Sequence, residues 1–335
     1  MNTFDTTGPE AIGRVLAALN AARRVVVVAH EHPDGDALGS ALALAAFLRG
    51  AGRDAVAAGV EPLPDSIAFL AKDAPELVPA EGFVSREGDL VCLVDCNAVK
   101  RVPPPLRPLV AAAPALACID HHIADDYSTE AVYAIPDASS TAELVWNVAQ
   151  AAGWPLTRRI AEALWTGIVT DTGRFSYPST RPSTLRCAAD LLERGGVRTS
   201  PIADECFHLV STRRLRLEER LIRSLELHAG GRIAIASLGP EDYAAESATP
   251  ADTENFVNVP RFLRGVEVAV FLYSHRPGRT NISMRTVSGL SAAEFCAGFG
   301  GGGHERAAGA ALTRPIEKVR AKVLAKLLPL YGETP

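Results

Sequence analysis

The chain has 335 residues, of which 47% are hydrophobic and 22% charged, and a formal net charge of −5. That length exceeds what one core usually supports and predicts two domains, while the acidic balance argues against a surface that grips long duplex nucleic acid by displacing counterions. No apolar run reaches the roughly 20 residues of a bilayer span, and Asp5 and Glu10 stand where a secretory signal would be basic and then apolar, so a cytoplasmic protein with no membrane partner is expected.

A helix is predicted over Pro9–Ala22, a buried strand over Val25–His30 and a helix over Ala37–Gly50, which make a strand, loop, helix unit. Short apolar runs at Ala55–Ala58, Leu90–Asp95 and Leu116–Asp120 read as further buried strands. Their alternation with helical or Pro-rich connections predicts an α/β fold, an open parallel sheet flanked by helices. Helices follow at Thr141–Ala152, Arg158–Thr170 and Ser183–Glu193, and the charged segment Thr212–Leu227 reads as a linker helix. Strands near Ile233–Leu238, Val266–Tyr273 and Asn281–Arg285, with helices near Ala292 and over Ile316–Leu328, predict a smaller C-terminal α/β domain. The expected division is a catalytic domain at 1–210, a linker helix at 211–229 and a substrate-binding domain at 230–335. The six cysteines lack the dense spacing of a disulfide scaffold, and Cys92 and Cys96 read as structural thiols.

The first chemically informative segment is AHEHPDGDALGS, residues 29–40, where a buried strand ends at His30 and the chain turns through Pro33 and Gly35 into a helix. Ligands of open α/β sheets collect at the carboxyl ends of strands, so His30, Asp34 and Asp36 are directed at one place. Taken alone, Asp34-Gly35 is also ordinary turn chemistry and Asp36 an ordinary helix cap. Three later segments shift the balance: LVCLVD ends in Asp95, ALACIDHH in Asp120, His121 and His122, and ALWTGIVTDTGRF delivers Asp171. Burying an unpaired carboxylate costs several kcal/mol, and four converging sites without matching arginines call for cations. Four carboxylates and two divalent ions cancel in charge, with histidines as neutral ligands. Mixed carboxylate and imidazole donors favour manganese, with magnesium, cobalt or iron as alternatives, and the absence of thiolates argues against structural zinc. Two such ions about 3.5–4 Å apart stabilise both the attacking and the leaving oxygen of a phosphoryl transfer.

The segments HEHPDGDALGS, LVDC, IDHH and TDTGRF, in this order, resemble the four motifs of the DHH phosphoesterases, and GGGHERAAGA at 301–310 resembles the signature of the DHH-associated C-terminal domain. Within the family the layout is most similar to the bifunctional oligoribonuclease and PAP phosphatase group, the nanoRNases. The resemblance implies that His30 and Asp34 hold one metal, that Asp36, His121 and Asp171 hold the other, and that Asp95 bridges them. It further implies that Asp120 orients a neighbouring group and that His122 touches the scissile phosphate, which makes Asp95, Asp120 and His122 the catalytic set.

In the C-terminal segment, consecutive glycines let backbone N–H groups approach phosphate closely, an anion nest beside His304 and Arg306; a flexible turn before an Ala-rich helix is the plainer reading of an isolated glycine run, but the two-metal site upstream favours the nest. Arg285 is placed to pair a terminal phosphate. A compact substrate would run from the metals to Arg285, Gly302, Gly303 and His304, a grip that measures length. Phe175 or Tyr177 could stack a base, although aromatics at these spacings are more often packing residues.

The expected substrates are short oligoribonucleotides, cleaved to 5′-mononucleotides, and small phosphorylated nucleotides including 3′-phosphoadenosine 5′-phosphate. A cyclic dinucleotide phosphodiesterase such as one acting on cyclic di-AMP is the nearest competing enzyme, and a non-catalytic nucleotide sensor or dinucleotide-cofactor binder the competing class. The GDALGS turn lacks G-x-G-x-x-G, which weakens the cofactor reading. Oligomeric state is not legible in the sequence.

Overall fold

The structure, a computed structural model, describes residues 5–122, 129–287 and 289–332. The chain divides into two compact units, Met1–Leu209 and Val210–Pro335.

Six strands form the sheet of the first unit: β1 Arg24–Val28, β2 Asp54–Gly59, β3 Leu77–Pro79, β4 Asp89–Val94, β5 Leu116–Asp120 and β6 Val132–Ala134. They pair in the order β3-β2-β1-β4-β5-β6, every pair parallel. β1 and β4 are buried along their whole length, which is why they read as unbroken apolar runs rather than alternating ones. The order reverses between β1 and β4. The connections leaving these two strands therefore part in opposite directions and leave a crevice at their carboxyl ends, the general ligand position of such sheets.

The helix Gly35–Gly50 is buried on nearly every side, because it lies between the sheet and the helices Thr141–Ala152 and Arg158–Asp171. The crossing with Arg158–Asp171 is tight. A Cβ on Gly39 would stand 2.3 Å from the Ala163 carbonyl oxygen, and one on Gly167 would stand 2.7 Å from both Asp36 Oδ1 and Ala142 Cβ. These two glycines let the backbones touch.

The second unit carries β7 Glu226–His228, β8 Ile233–Leu238, β9 Val268–Arg276, β10 Arg279–Thr286, β11 Gly302–His304 and β12 Ala307–Leu312. Their order is β11-β12-β10-β9-β8-β7, with β8 and β9 parallel and the remaining pairs antiparallel. The helices Ala292–Ala297 and Ile316–Leu327 pack Phe295, Val319 and Val323 against Ile235, Val270 and Met284 on one face. On the other face Leu217 and Leu221 of the helix Thr212–Arg223 meet Leu238, Phe256 and Phe271.

The segment expected as a linker helix thus differs in two respects. It is helical only to Arg223, since Ser224 ends the helix and accepts a hydrogen bond from Ser237 N at 2.8 Å, and Glu226–His228 then enter the sheet. Its leucines also belong to the core of the second unit. The strands β3, β6 and β7 have three residues each, too short to leave a periodic trace in the sequence.

Candidate metal centre

The carboxyl ends of β1, β4 and β5 deliver three groups of candidate ligands to the crevice. β1 runs into His30, and Asp34 caps the Gly35 helix by accepting from Asp36 N at 3.1 Å and Ala37 N at 3.0 Å. Capping therefore uses Oδ1 of Asp34, and the cap reading and the ligand reading of this residue are compatible. Asp95 follows β4 with φ +53°, a left-handed conformation that Asp tolerates better than most residues and that turns its carboxylate out of the sheet. β5 ends at Asp120 and is followed by His121 and His122, while Asp171 is the last residue of its helix.

Three sets of side chains each bring one ligand atom per residue within 4.8 Å of one another: His30, Asp34 and Asp95; Asp36, His121 and Asp171; and Asp95, His121 and His122. Asp95 connects them. Its Oδ2 lies 3.3 Å from His30 Nε2, and its Oδ1 lies 3.4 Å from both His121 Nε2 and His122 Nδ1. His121 Nε2 is also 3.3 Å from Asp171 Oδ2 and 3.9 Å from Asp36 Oδ2. All six residues proposed as metal ligands are brought together. Asp120 stands behind them: its Oδ1 accepts from His122 N at 3.1 Å and meets His122 Nδ1 at 2.8 Å, whereas its buried Oδ2 has no hydrogen-bond partner among the described residues.

The electrostatics are those of a cluster short of positive charge. Burial, then the neighbouring Asp95 and Asp171 charges, raises the Asp36 carboxyl well above the ordinary range. Burial likewise pushes Asp171 up to about 7. For His121 burial favours the neutral ring, but the hydrogen bond to Asp95 and the charges of Asp36 and Asp171 outweigh it and push the imidazole up to about 10. Burial also opposes ionisation of Asp95, and there the His121 and His30 hydrogen bonds win and hold the carboxyl well below its usual range. Carboxylate oxygens and imidazole nitrogens, without a thiolate in any of the three sets among the described residues, fit divalent manganese or its hard and borderline neighbours. The nearby Cys96 thiol is turned to the Ala98 carbonyl at 3.5 Å.

Sequence reasoning missed the residues that support this cluster. The backbone N–H groups of Thr141 and Ala142, at the start of their helix, donate to Asp36 Oδ2 at 2.6 Å and Oδ1 at 2.8 Å. Asp36 thus sits on the positive end of a helix dipole. The Thr141 hydroxyl donates to Asp95 Oδ1 at 3.0 Å. Behind it the buried Glu143 accepts from Ser139 Oγ at 2.6 Å and Thr184 Oγ1 at 2.9 Å, which fixes the turn into the helix. The available signal was Ser140-Thr141-Ala142-Glu143, a capping-box pattern ahead of an apolar run.

In the second unit, Gly302, Gly303 and His304 do not form an anion nest, and the Ala-rich segment after them is not a helix. Gly302–His304 is the edge strand β11, and Ala307–Leu312 is the strand β12 it pairs with. In an extended strand successive N–H groups point in opposite directions, so they cannot converge on one anion. Gly303 is needed there all the same, having φ +148° and a Cβ position 2.6 Å from the Ala307 carbonyl oxygen. The register sets Arg285 and His304 opposite the same residue, Ala307, from its two sides. Directly opposed residues of antiparallel strands share a face, so Arg285 and His304 flank a small side chain in one row. Arg285 Nη1 donates to the Met284 carbonyl at 3.0 Å.

Residues 24–168 match the DHH family, N-terminal domain, and residues 230–328 match the DHHA1 domain. Over 288 residues the chain is 33% identical to the bifunctional oligoribonuclease and PAP phosphatase NrnA of Thermus thermophilus, covering 86% of this chain and 84% of that one. The chain belongs to the DHH family. As a DHH-family enzyme it is a metal-dependent phosphoesterase. An exopolyphosphatase-related protein from Bacteroides fragilis is similar in structure, with a TM-score of 0.88 at 28% identity over 98% of this chain and 100% of that chain. RecJ from Thermus thermophilus in complex with Mn2+ shares the fold at a TM-score of 0.58 and 17% identity, over 97% of this chain and 55% of RecJ. Among the described residues of this DHH protein, no helix is long and apolar enough to cross a membrane.

Proposed function

We propose that this DHH phosphoesterase is a two-metal phosphodiesterase of the cytoplasm that degrades very short oligoribonucleotides to 5′-mononucleotides, and that the same centre removes the 3′-phosphate of 3′-phosphoadenosine 5′-phosphate. The observation that carries the reading is the shared position of Asp95, whose two oxygens face separate ligand sets. The similarity to an oligoribonuclease and PAP phosphatase supports the substrate class.

In this reading His30 and Asp34 hold one divalent ion, manganese foremost, Asp36, His121 and Asp171 hold the other, and Asp95 bridges the two. Bound there, the ions supply the Lewis acidity that lets water attack a phosphoryl group at neutral pH. The protein supplies the rest. Thr141 holds the Asp95 carboxylate through Oδ1, and the N–H groups of Thr141 and Ala142 hold Asp36. Asp120 takes the Nδ1 side of His122, which leaves Nε2 to meet an oxygen of the scissile phosphate. Arg285, Gly302, Gly303 and His304 recognise a further phosphate or terminus of the substrate. The similarity to an oligoribonuclease supports a substrate of a few nucleotides, and the net charge of −5 disfavours long duplexes.

The test is turnover with Mn2+ of 5′-labelled diribonucleotides, longer RNAs, cyclic dinucleotides and 3′-phosphoadenosine 5′-phosphate, ranked by kcat/KM. Diribonucleotides and 3′-phosphoadenosine 5′-phosphate are expected to lead, with activity abolished by a chelator. A preference for cyclic dinucleotides or for long RNA would sink the proposed specificity.

A further inference from the structure

Beyond the ligand Asp171 the backbone is unusual. Gly173, Arg174 and Phe175 have φ of +54°, +61° and +62°, three consecutive left-handed residues of which two carry bulky side chains that ordinarily avoid this region. The turn is imposed by its surroundings. Arg174 N donates to the Val169 carbonyl at 2.8 Å and Phe175 N to Thr172 Oγ1 at 3.0 Å, while Ser176 N and Tyr177 N both reach the Thr172 carbonyl, at 3.0 and 2.9 Å. Backbone strain held so firmly beside a reaction centre is an indication of function.

What the turn accomplishes is a division between two aromatic residues. Phe175 is directed inward and meets the Trp165 ring edge-on, with centroids 5.8 Å apart, so it packs the core. Tyr177 is brought back to hydrogen-bond the residue next to Asp171, and its ring lies across Gly173. A Cβ on Gly173 would stand 2.5 Å from Cε1 and Cζ and 2.8 Å from Cε2 of Tyr177, so the glycine faces the flat of the ring. The residue is still 44% exposed, and among the described residues its hydroxyl has no hydrogen-bond partner. A phenol that is tied down neither by burial nor through its hydroxyl, backed by a glycine and held by one hydrogen bond to the chain neighbour of a proposed metal ligand, has the properties of a stacking surface.

We propose that Tyr177 is the platform on which the nucleobase next to the scissile phosphate stacks, and that it makes the enzyme select nucleotides over base-free phosphoesters. This inference rests on the proposed cleavage of short oligoribonucleotides. The experiment pairs a change in the protein with a change in the substrate: the Mn2+-loaded enzyme is assayed on diribonucleotides with both bases present or with an abasic ribose at one position. In the wild type one abasic position is expected to lower kcat/KM by about 5- to 100-fold, the scale of a single base–aromatic stack. Tyr177→Ala should erase that difference, and Tyr177→Phe should preserve it. Calorimetric titration with Mn2+ shows whether the neighbouring centre is intact in each variant, and equal Mn2+ binding is expected throughout. An abasic penalty that persists in Tyr177→Ala, its absence in the wild type, or loss of Mn2+ binding in Tyr177→Ala would each overturn the assignment. Failure of the wild type to cleave any diribonucleotide would instead remove the proposed function beneath it.

Discussion

The two sheets use opposite means to present chemistry. In the first unit the chemical groups stand at the ends of fully buried parallel strands, where the hydrogen bond to Asp95 and the charges of Asp36 and Asp171 push His121 up to about 10. In the second unit the candidate groups lie on a glycine strand at an open sheet edge and on the neighbouring β10, and Gly302, Gly303 and His304 are all exposed. Burial concentrates charge and demands cations; an exposed edge offers directional contacts without strong fields. One arrangement suits bond cleavage and the other suits recognition.

This contrast can be broken or sharpened by substitution. The largest effect is expected for Asp95→Asn, which removes charge from the residue proposed to bridge the two ions: Mn2+ affinity and kcat should both fall by more than about 100-fold, the upper end for a group one shell further out. Calorimetry and diribonucleotide turnover check it, and undiminished turnover would remove the centre from the first unit. Thr141→Val deletes the hydroxyl on Asp95 Oδ1 and should weaken Mn2+ binding by about 10- to 100-fold with little change in diribonucleotide KM. Gly39→Ala forces a methyl against the Ala163 carbonyl and should lower stability by about 1–3 kcal/mol, read from the urea midpoint. Smallest is Gly303→Ala, in which the hairpin of the second unit must distort: KM should rise several-fold while Mn2+ affinity and the urea midpoint of the first unit hold. Should Gly303→Ala alter Mn2+ binding, recognition and cleavage are not separable in this way.

The legibility of these two regions in the sequence differs for the same physical reason. An apolar run closed by an acid is conspicuous, because burying charge is costly and rarely accidental, and so Asp95, Asp120 and Asp171 could be found from their position alone. Glycine and alanine carry no such mark. The run Gly300–Gly303 with Ala307–Leu312 could be a loop and helix or a hairpin, and pairing with β10, more than 20 residues earlier in the chain, decides it. The helix Thr212–Arg223 misled for a related reason: its arginines suggest a solvated connector, but they pair with acids of its own unit, Arg213 with Asp252 and Arg220 with Asp242 and Glu246, while Leu217 and Leu221 are buried. The hydrogen bonds from Thr141 and Ala142 to Asp36 span more than 100 residues of sequence. Backbone donors have no identity in a sequence, so this support was beyond reach.

The contact of Gly39 and Gly167 with their opposite backbones has a consequence for metal choice. Asp36 is carried by one of the crossing helices and Asp171 by the other, and with no side chain on Gly39 or Gly167 the offset between these two candidate ligands is gauged by the direct contact of the helices. Such a gauge has no fine adjustment, since the smallest change available to mutation is a whole carbon atom. In the proposed ligand assignment, tolerance toward ions of different radius must then come from the side that is borne on turns, where His30, Asp34 and Asp95 follow or precede regular structure and can tilt without moving a helix.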